Sequence, residues 1–256
     1  MSGISVIVLR AAGTNCDAET AYAFRKAGAE TDLVHINRLA DGDASLDDYQ
    51  ILAIPGGFTY GDDISAGKIL ASELLHRVGD QLRRFVDSDR LVIGICNGFQ
   101  VLVKMGLLPG WEPRQEHVTL TNNDSNRFED RWINLSIAST KSAFLRENDV
   151  IYLPIAHGEG KFVVDSQATL DRLEQGNQVV LKYCSREGAE GCYPINPNGS
   201  MGSVAGICDT TGRVFGLMPH PERYVERHHH PRWTREDTPE EGDGLRFFRN
   251  SVNYFS

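Results

Sequence analysis

Five mostly apolar residues, Leu91-Val92-Ile93-Gly94-Ile95, run directly into Cys96, and glycines stand two positions before and two positions after it, at Gly94 and Gly98. The pattern predicts a buried parallel strand that ends at a tight turn and passes straight into a helix. The small neighbours leave room for a strained backbone that lifts the sulfur into a cleft, the arrangement of a nucleophile elbow. A thiolate presented in this way suits acyl transfer. A free cysteine at a strand end can equally be a small buried hydrophobe. The rest of the chain must therefore supply a base and an orienting acid before the chemical reading holds.

Both occur in Met218-Pro219-His220-Pro221-Glu222-Arg223, which follows the strand-like run Val214 to Leu217. Pro221 disfavours a helical backbone at His220, which predicts an extended segment with His220 and Glu222 projecting to the same side. Glu222 then holds the imidazole in one tautomer while the other ring nitrogen faces the Cys96 sulfur. A surface turn carrying an incidental histidine and glutamate is the plain alternative, and His-Pro-Glu alone is a weak motif. Its order after the cysteine is informative, because α/β-hydrolases place the acid before the histidine.

A third piece, Ile54-Pro55-Gly56-Gly57-Phe58-Thr59-Tyr60-Gly61-Asp62, follows another apolar run. Gly56 and Gly57 let backbone N–H groups approach a ligand closely, although a tight strand-to-loop turn would use them too. Beside the elbow, the N–H groups of Gly57 and Asn97 can form an oxyanion hole. Loss of one such donor typically costs about 2.7–4 kcal/mol of transition-state stabilisation.

The frame around these pieces reads as α/β. Ser5 to Leu9 is a β-branched run, and the turn Ala12 to Asn15 leads into a helix that Thr14 or Asn15 can cap, with Asp17 and Glu19 at its positive end and Gly28 beyond its far end. Strands follow at Thr31 to Ile36 and Gln50 to Ile54, and an amphipathic helix at Ala66 to Val78. The alternation predicts an open, mostly parallel twisted sheet with helices on both faces. After Gly110 the pattern becomes richer in strand, with runs at His117 to Thr121, Trp132 to Ile137, Val150 to Ile155, Val179 to Tyr183, Val204 to Ile207 and Val214 to Leu217. This predicts a partly antiparallel extension of the same domain, since no linker or repeat interrupts residues 1–256. Leu245 to Val252 reads as a closing helix.

Glu226 to Gly244 is dense in charge, proline and glycine and reads as an exposed loop. It contains His228, His229 and His230. Adjacent side chains diverge and no carboxylate or cysteine stands at usual ligand spacing, so the expectation is a solvated loop and no metal. The five cysteines are odd in number and widely spaced, with no Cys-x-x-Cys pair, which suggests neither a disulfide framework nor a zinc site. The net charge of -9, from 35 acidic against 26 basic residues, disfavours nucleic acid or an anionic membrane as the main partner. No apolar run approaches the roughly 20 residues that span a bilayer, and the start, Met1 to Ser5, lacks a signal-type pattern. The expected location is the cytoplasm.

The elbow Gly94 to Gln100 and His220-Pro221-Glu222 together resemble the class I (triad) glutamine amidotransferases over most of the chain. Four further segments, Gly13 to Asp17, Gly57 to Asp62, Pro154 to Phe162 and Asn196 to Ser200, are similar to the branch of that family formed by the glutaminase subunits of phosphoribosylformylglycinamidine synthases. The chain departs from that branch at Ala11-Ala12, where an aromatic residue and a proline are usual, and in the acidic stretch after Arg235. The resemblance implies that Cys96 attacks the side-chain amide of glutamine, that His220 protonates the departing ammonia, and that Glu222 orients His220. It implies that Gly56, Gln100, His157, Gly158 and Glu159 hold glutamine, although His157 reads equally well as a structural residue in a turn. It also implies no covalently bound cofactor in this chain. The ammonia would pass to a synthetase subunit that uses ATP and Mg2+, accompanied by a small accessory subunit, in purine synthesis. A glutaminase serving another pathway and a non-catalytic binding module of the same fold are the competing readings, and the second predicts a broken triad.

Overall fold

In the computed structural model, which describes residues 3–62, 65–112, 116–147 and 149–256, short apolar runs build the strands and amphipathic segments cover them. Met1 and Ser2, the first residues of the start read above for a leader, lie outside the described residues. In chain order the strands are β1 (Ser5–Arg10), β2 (Glu30–His35), β3 (Ile51–Ile54), β4 (Leu91–Ile95), β5 (Val118–Thr121), β6 (Glu129–Ile137), β7 (Val150–His157), β8 (Lys161–Val164), β9 (Val179–Cys184), β10 (Val204–Cys208) and β11 (Val214–Leu217). The helices are α1 (Asp17–Lys26), α2 (Ile36–Ala40), α3 (Lys68–Asp87), α4 (Asn97–Lys104), α5 (Gln167–Gln175) and α6 (Leu245–Asn253).

Among the described residues, nine strands form one sheet in the order β2-β1-β3-β4-β11-β10-β9-β6-β7, and β5 pairs with β8 in a second. β2, β1, β3, β4 and β11 are mutually parallel. β10, β9, β6 and β7 continue the sheet antiparallel. Every residue of β3 and β4 is buried, as expected of parallel strands covered on both faces. In β6, by contrast, buried Ile133, Leu135 and Ile137 alternate with less buried positions, which fits a strand with one face on the core. The α/β fold expected from the sequence is thus a mixed sheet, with a four-stranded antiparallel extension beside a five-stranded parallel core.

The connections β1-α1-β2 and β3-α3-β4 run in opposite directions along the sheet, so right-handed crossovers place α1 and α3 on opposite faces. α1 packs against α6, where the Phe24 ring meets Phe248 edge-on at 4.8 Å, and α3 packs against α2 and α4. Among the described residues no helix is long and apolar enough to cross a membrane.

Three local expectations need correction. The sequence reading ends the long helix at Val78, yet α3 continues through Gly79 to Asp87. Its buried stripe Leu70, Leu74, Val78, Leu82 and Phe85 keeps helical spacing past the glycine. A Cβ at Gly79 would meet nothing closer than the Leu74 carbonyl oxygen at 3.9 Å. Gly79 therefore costs only about 1 kcal/mol of helix propensity, less than the burial of Leu82 and Phe85 returns at about 1.5–3 kcal/mol each.

Neither Thr14 nor Asn15 caps α1, because both serve the turn before it. The N-cap is Cys16, with no side-chain cap bond. Thr14 Oγ1 accepts from the Ala11 N–H at 3.0 Å, and the Asn15 and Cys16 N–H groups donate to the Gly56 carbonyl. This ties the turn before α1 to the loop after β3. Finally, β8 and α5 were not anticipated. Lys161–Val164 is a four-residue strand that, among the described residues, pairs with β5 alone, too short for alternation to stand out.

Candidate active site

β3, β4 and β11 lie side by side and parallel, so the loops leaving their C-terminal ends meet at one place. The first carries Gly56 and Gly57, the second Cys96, the third His220 and Glu222. Adjacent strands thus deliver pieces that are far apart in sequence.

Cys96 has φ 52° and ψ -105°, a strained conformation for a residue with a side chain. Its N–H is held by the Leu217 carbonyl at 2.8 Å, and the Phe99 and Gln100 N–H groups donate back to its carbonyl. The strain persists because the backbone on both sides is pinned. Gly98 is demanded by space: a Cβ there would lie 1.9 Å from the Ile54 carbonyl oxygen. The missing side chain lets the first turn of α4 press against the end of β3. Cys96 is 6% exposed, and its sulfur sits 3.8 Å from the Ala156 carbonyl oxygen at the end of β7.

His220 and Glu222 are each 1% exposed, and the His220 Nδ1–H donates to Glu222 Oε1 at 2.6 Å. The expected extended segment is shorter than the sequence suggested. His220 is non-helical, at φ -106° and ψ 88°, but Pro221–Arg223 forms a 3-10 turn that begins on the proline. Proline suits a first helical position because its φ is preset and its missing N–H is not required there. The turn still brings the carboxylate under the ring. Burial alone would lower the imidazole pKa, but the Glu222 carboxylate and the Cys96 sulfur outweigh it and raise His220 well above the usual histidine range.

A cleft of about 410 Å³ opens over the sulfur. Gly57, Phe58, Cys96, Gln100, His157, Gly158 and Glu159 contribute to its lining, with Arg127 and Phe128 from the loop before β6. Phe58 and Phe128 are 48% and 53% exposed and face each other with ring centroids 6.3 Å apart. Gly57 pairs with Thr14 in an isolated antiparallel bridge closed by Phe58 N–H to Gly13 and Asn15 N–H to Gly56. Its own amide is left out of that ladder. Asn97 is the first residue of α4, so its N–H belongs to the positive end of the helix beside the sulfur. Its side-chain oxygen accepts from the Thr59 hydroxyl at 2.6 Å, joining the loop after β3 to the elbow.

The residues assigned to glutamine separate into two groups. Gln100, His157, Gly158 and Glu159 line the cleft. Gly56 stands behind it, and its Cβ position would fall 2.8 Å from His220 Cε1, 3.2 Å from Cys16 Sγ and 3.5 Å from Cys96 Cβ. What Gly56 makes room for is the imidazole. Gln100 is engaged at both ends of its amide, donating to the Glu159 carbonyl at 2.5 Å and accepting from Asn97 Nδ2 at 3.0 Å, so it fastens the 157–160 loop to α4. His157 is buried, and its Nδ1 bonds Asn123 Oδ1 at 3.1 Å. Burial, reinforced by the nearby positive His220, holds its pKa down to about 3. It is therefore a neutral ring at any ordinary pH.

Sequence reasoning missed Asn123, whose side chain binds the Arg127 and His157 carbonyls and the Gly160 N–H and so shapes this wall. A polar run just after an apolar strand, Asn122-Asn123-Asp124, was the signal available. It also missed a carboxylate near the histidine-rich stretch. Glu226 Oε2 lies 3.2 Å from His228 Nδ1, within a Glu226, His228 and His229 group whose ligand atoms are all within 4.8 Å. The other Glu226 oxygen is already taken by the Tyr22 hydroxyl and Lys26.

A model of the CobB/CobQ-like glutamine amidotransferase domain matches residues 4–255. The chain belongs to this family. It is 47% identical over 256 residues to the phosphoribosylformylglycinamidine synthase subunit PurQ of Dehalococcoides mccartyi, covering 99% of this chain and 98% of that one. Identity to the PurQ subunit of Methanococcus maripaludis is 43% over 265 residues, covering 98% and 97%. Among solved structures, that of PurLQS from Thermotoga maritima superposes with a TM-score of 0.75 at 30% identity, covering 100% of both chains.

Proposed function

We infer that this glutamine amidotransferase is the glutaminase subunit of a phosphoribosylformylglycinamidine synthase, working in purine synthesis, and that Cys96, His220 and Glu222 are its catalytic residues. The observation that carries the assignment of residues is a strained cysteine that lines a cleft of about 410 Å³ and stands beside a buried, hydrogen-bonded His220–Glu222 pair. The Cys96 thiolate attacks the side-chain amide carbon of glutamine. Negative charge then develops on the amide oxygen, where the N–H groups of Gly57 and Asn97 stabilise it. His220 gives its Nε2 proton to the departing nitrogen, so that ammonia leaves and a glutamyl thioester remains on Cys96. The now neutral imidazole takes a proton from water, the hydroxide adds to the thioester, and glutamate is released with the thiolate restored. Glu222 keeps Nδ1 protonated throughout, so that Nε2 faces the reacting atoms.

By kinship with the PurQ subunits, the ammonia passes to a synthetase subunit, with a small accessory subunit in the same assembly. ATP is consumed at the synthetase, which uses it with Mg2+, and the cytoplasm is the site of action. A permanently competent thiolate would waste glutamine, so docking of the synthetase completes the oxyanion hole or orients Cys96.

The test is glutamate release by the purified chain and by Cys96→Ala, each with and without the synthetase subunit, ATP, Mg2+ and the formylglycinamide ribonucleotide. Weak Cys96-dependent release that rises strongly with the synthetase is expected. Cys96-dependent release indifferent to the synthetase would keep the glutaminase and remove the purine assignment. No release in any mixture would favour a binding module.

A further inference from the structure

The turn from Gly13 to Asp17 brings a second thiol into the site. Cys16 is 1% exposed, and its Sγ, a His220 ring nitrogen and a Glu222 carboxylate oxygen all lie within 4.8 Å of one another. Arg223 holds the sulfur, donating from Nη2 to Cys16 Sγ at 3.1 Å while its Nε donates to Glu19 Oε1 at 3.0 Å. The thiol itself donates to Asn15 Oδ1 at 3.2 Å. Its place is therefore fixed from two directions. The Cβ position of Gly56, left empty, is bounded by Cys16 Sγ, His220 Cε1 and Cys96 Cβ, so both cysteines abut the same small space as the imidazole edge. His220 Nε2, the nitrogen that Glu222 does not take, is buried there with no well-aligned hydrogen-bond partner among the described residues.

We propose that Cys16 is a positioning residue for His220: Arg223 clamps its thiol, and the thiol props the imidazole so that Nε2 stays turned to Cys96 through both halves of the reaction. The proposal rests on the reading of His220 as the acid-base group. A cysteine, histidine and glutamate this close also suit a zinc ion, but the Arg223 guanidinium on the sulfur puts a fixed positive charge against it. Burial pushes the Cys16 thiol up, so it stays protonated and does not compete with Cys96 as a nucleophile. The titratable groups facing the His220–Cys16 pair are Glu222, Cys96, Arg223 and His157. Cys16 adds to the forces that raise His220, so its removal must lower the pH at which the ring loses its proton.

The experiment is a 15N-imidazole titration of His220 in Cys96→Ala, with and without Cys16→Ala, alongside kcat and KM for Cys16→Ala and Cys16→Ser with Cys96 intact. Loss of the thiol is expected to move the His220 midpoint down by about half a pH unit or more. The basic limb of kcat against pH should move the same way, with kcat falling about tenfold and KM for glutamine within about twofold. Serine retains a hydrogen-bonding group and should stay closer to the parent, and it serves as the readable variant if alanine does not fold. An unmoved midpoint overturns the proposal, whether or not kcat falls, since a purely space-filling role would lower kcat through packing alone. The titration reads the coupling without turnover, so failure of the glutaminase reading would show as absent activity in the parent chain and not as an unmoved midpoint.

Discussion

His220 Nδ1 stands 2.6 Å from Glu222 Oε1, and Pro221, between them in sequence, begins the 3-10 turn that makes this contact. Two residues apart in an extended strand would also share a side, but the turn draws the carboxylate closer and buries it completely beside the ring. The pair is then a unit with one free nitrogen, Nε2, and that nitrogen can serve Cys96.

Glu222→Gln keeps the shape and removes the charge. It should lower kcat for glutamine hydrolysis by about 10²- to 10⁴-fold with little change in KM, because the ring loses its preferred tautomer rather than its place. Steady-state kinetics of the variant provide the check. A kcat within threefold of the parent, roughly 0.6 kcal/mol, would remove Glu222 from the mechanism.

Gly56→Ala tests the space behind the cleft. The added methyl would meet His220 Cε1 at 2.8 Å and Cys16 Sγ at 3.2 Å. The ring is the softest of these neighbours, so it should move, and glutaminase activity should fall by at least about 10²-fold while the urea midpoint changes little. Activity near that of the parent would show that the imidazole does not need its present seat.

His157 links the site to stability. Its folded pKa of about 3 lies below the ordinary 6.5, so the unfolded chain binds the extra proton more readily. The stability it contributes is fully present above about pH 6.5 and is lost as pH falls toward 3, at up to about 1.4 kcal/mol per pH unit. Urea unfolding of the parent and of His157→Gln between pH 4 and 8 should give curves that converge on the acid side. Parallel curves would mean that the ring is solvated or already charged.

Gly98→Ala probes the elbow. A methyl group 1.9 Å from the Ile54 carbonyl oxygen cannot be absorbed by rotating a side chain, because backbone faces backbone. A loss of about 3 kcal/mol or more in unfolding free energy is expected from chemical denaturation. A loss below 1 kcal/mol would show that α4 and β3 are less tightly opposed.

The parallel core was legible in the chain because β1, β3 and β4 are continuous apolar runs, and the elbow because glycine two residues either side of a cysteine has a steric meaning. Cys96, His220 and Glu222 could be proposed together because each motif sits at a strand end. The far end of α3 was harder to read, because Gly79 falls within its span, a glycine that the structure accommodates within the helix. The short strand β8 was hidden by its length. Cys16 and Asn123 were hidden for another reason: their partners, Arg223 and His157, lie 207 and 34 residues away and meet them only after folding. The Glu226 carboxylate near His228 is similarly a product of the turn at Arg227–His229, which composition does not reveal.

The most direct test of the account is whether glutamine becomes covalently attached to Cys96. The chain, with its synthetase subunit present, would be mixed with isotopically labelled glutamine, quenched in acid within the first turnovers, digested, and analysed by mass spectrometry. A labelled glutamyl group on the peptide containing Cys96, absent in Cys96→Ala and removed by hydroxylamine, is predicted. Glutamate release that persists in Cys96→Ala, with no label on that peptide in the parent, would contradict it.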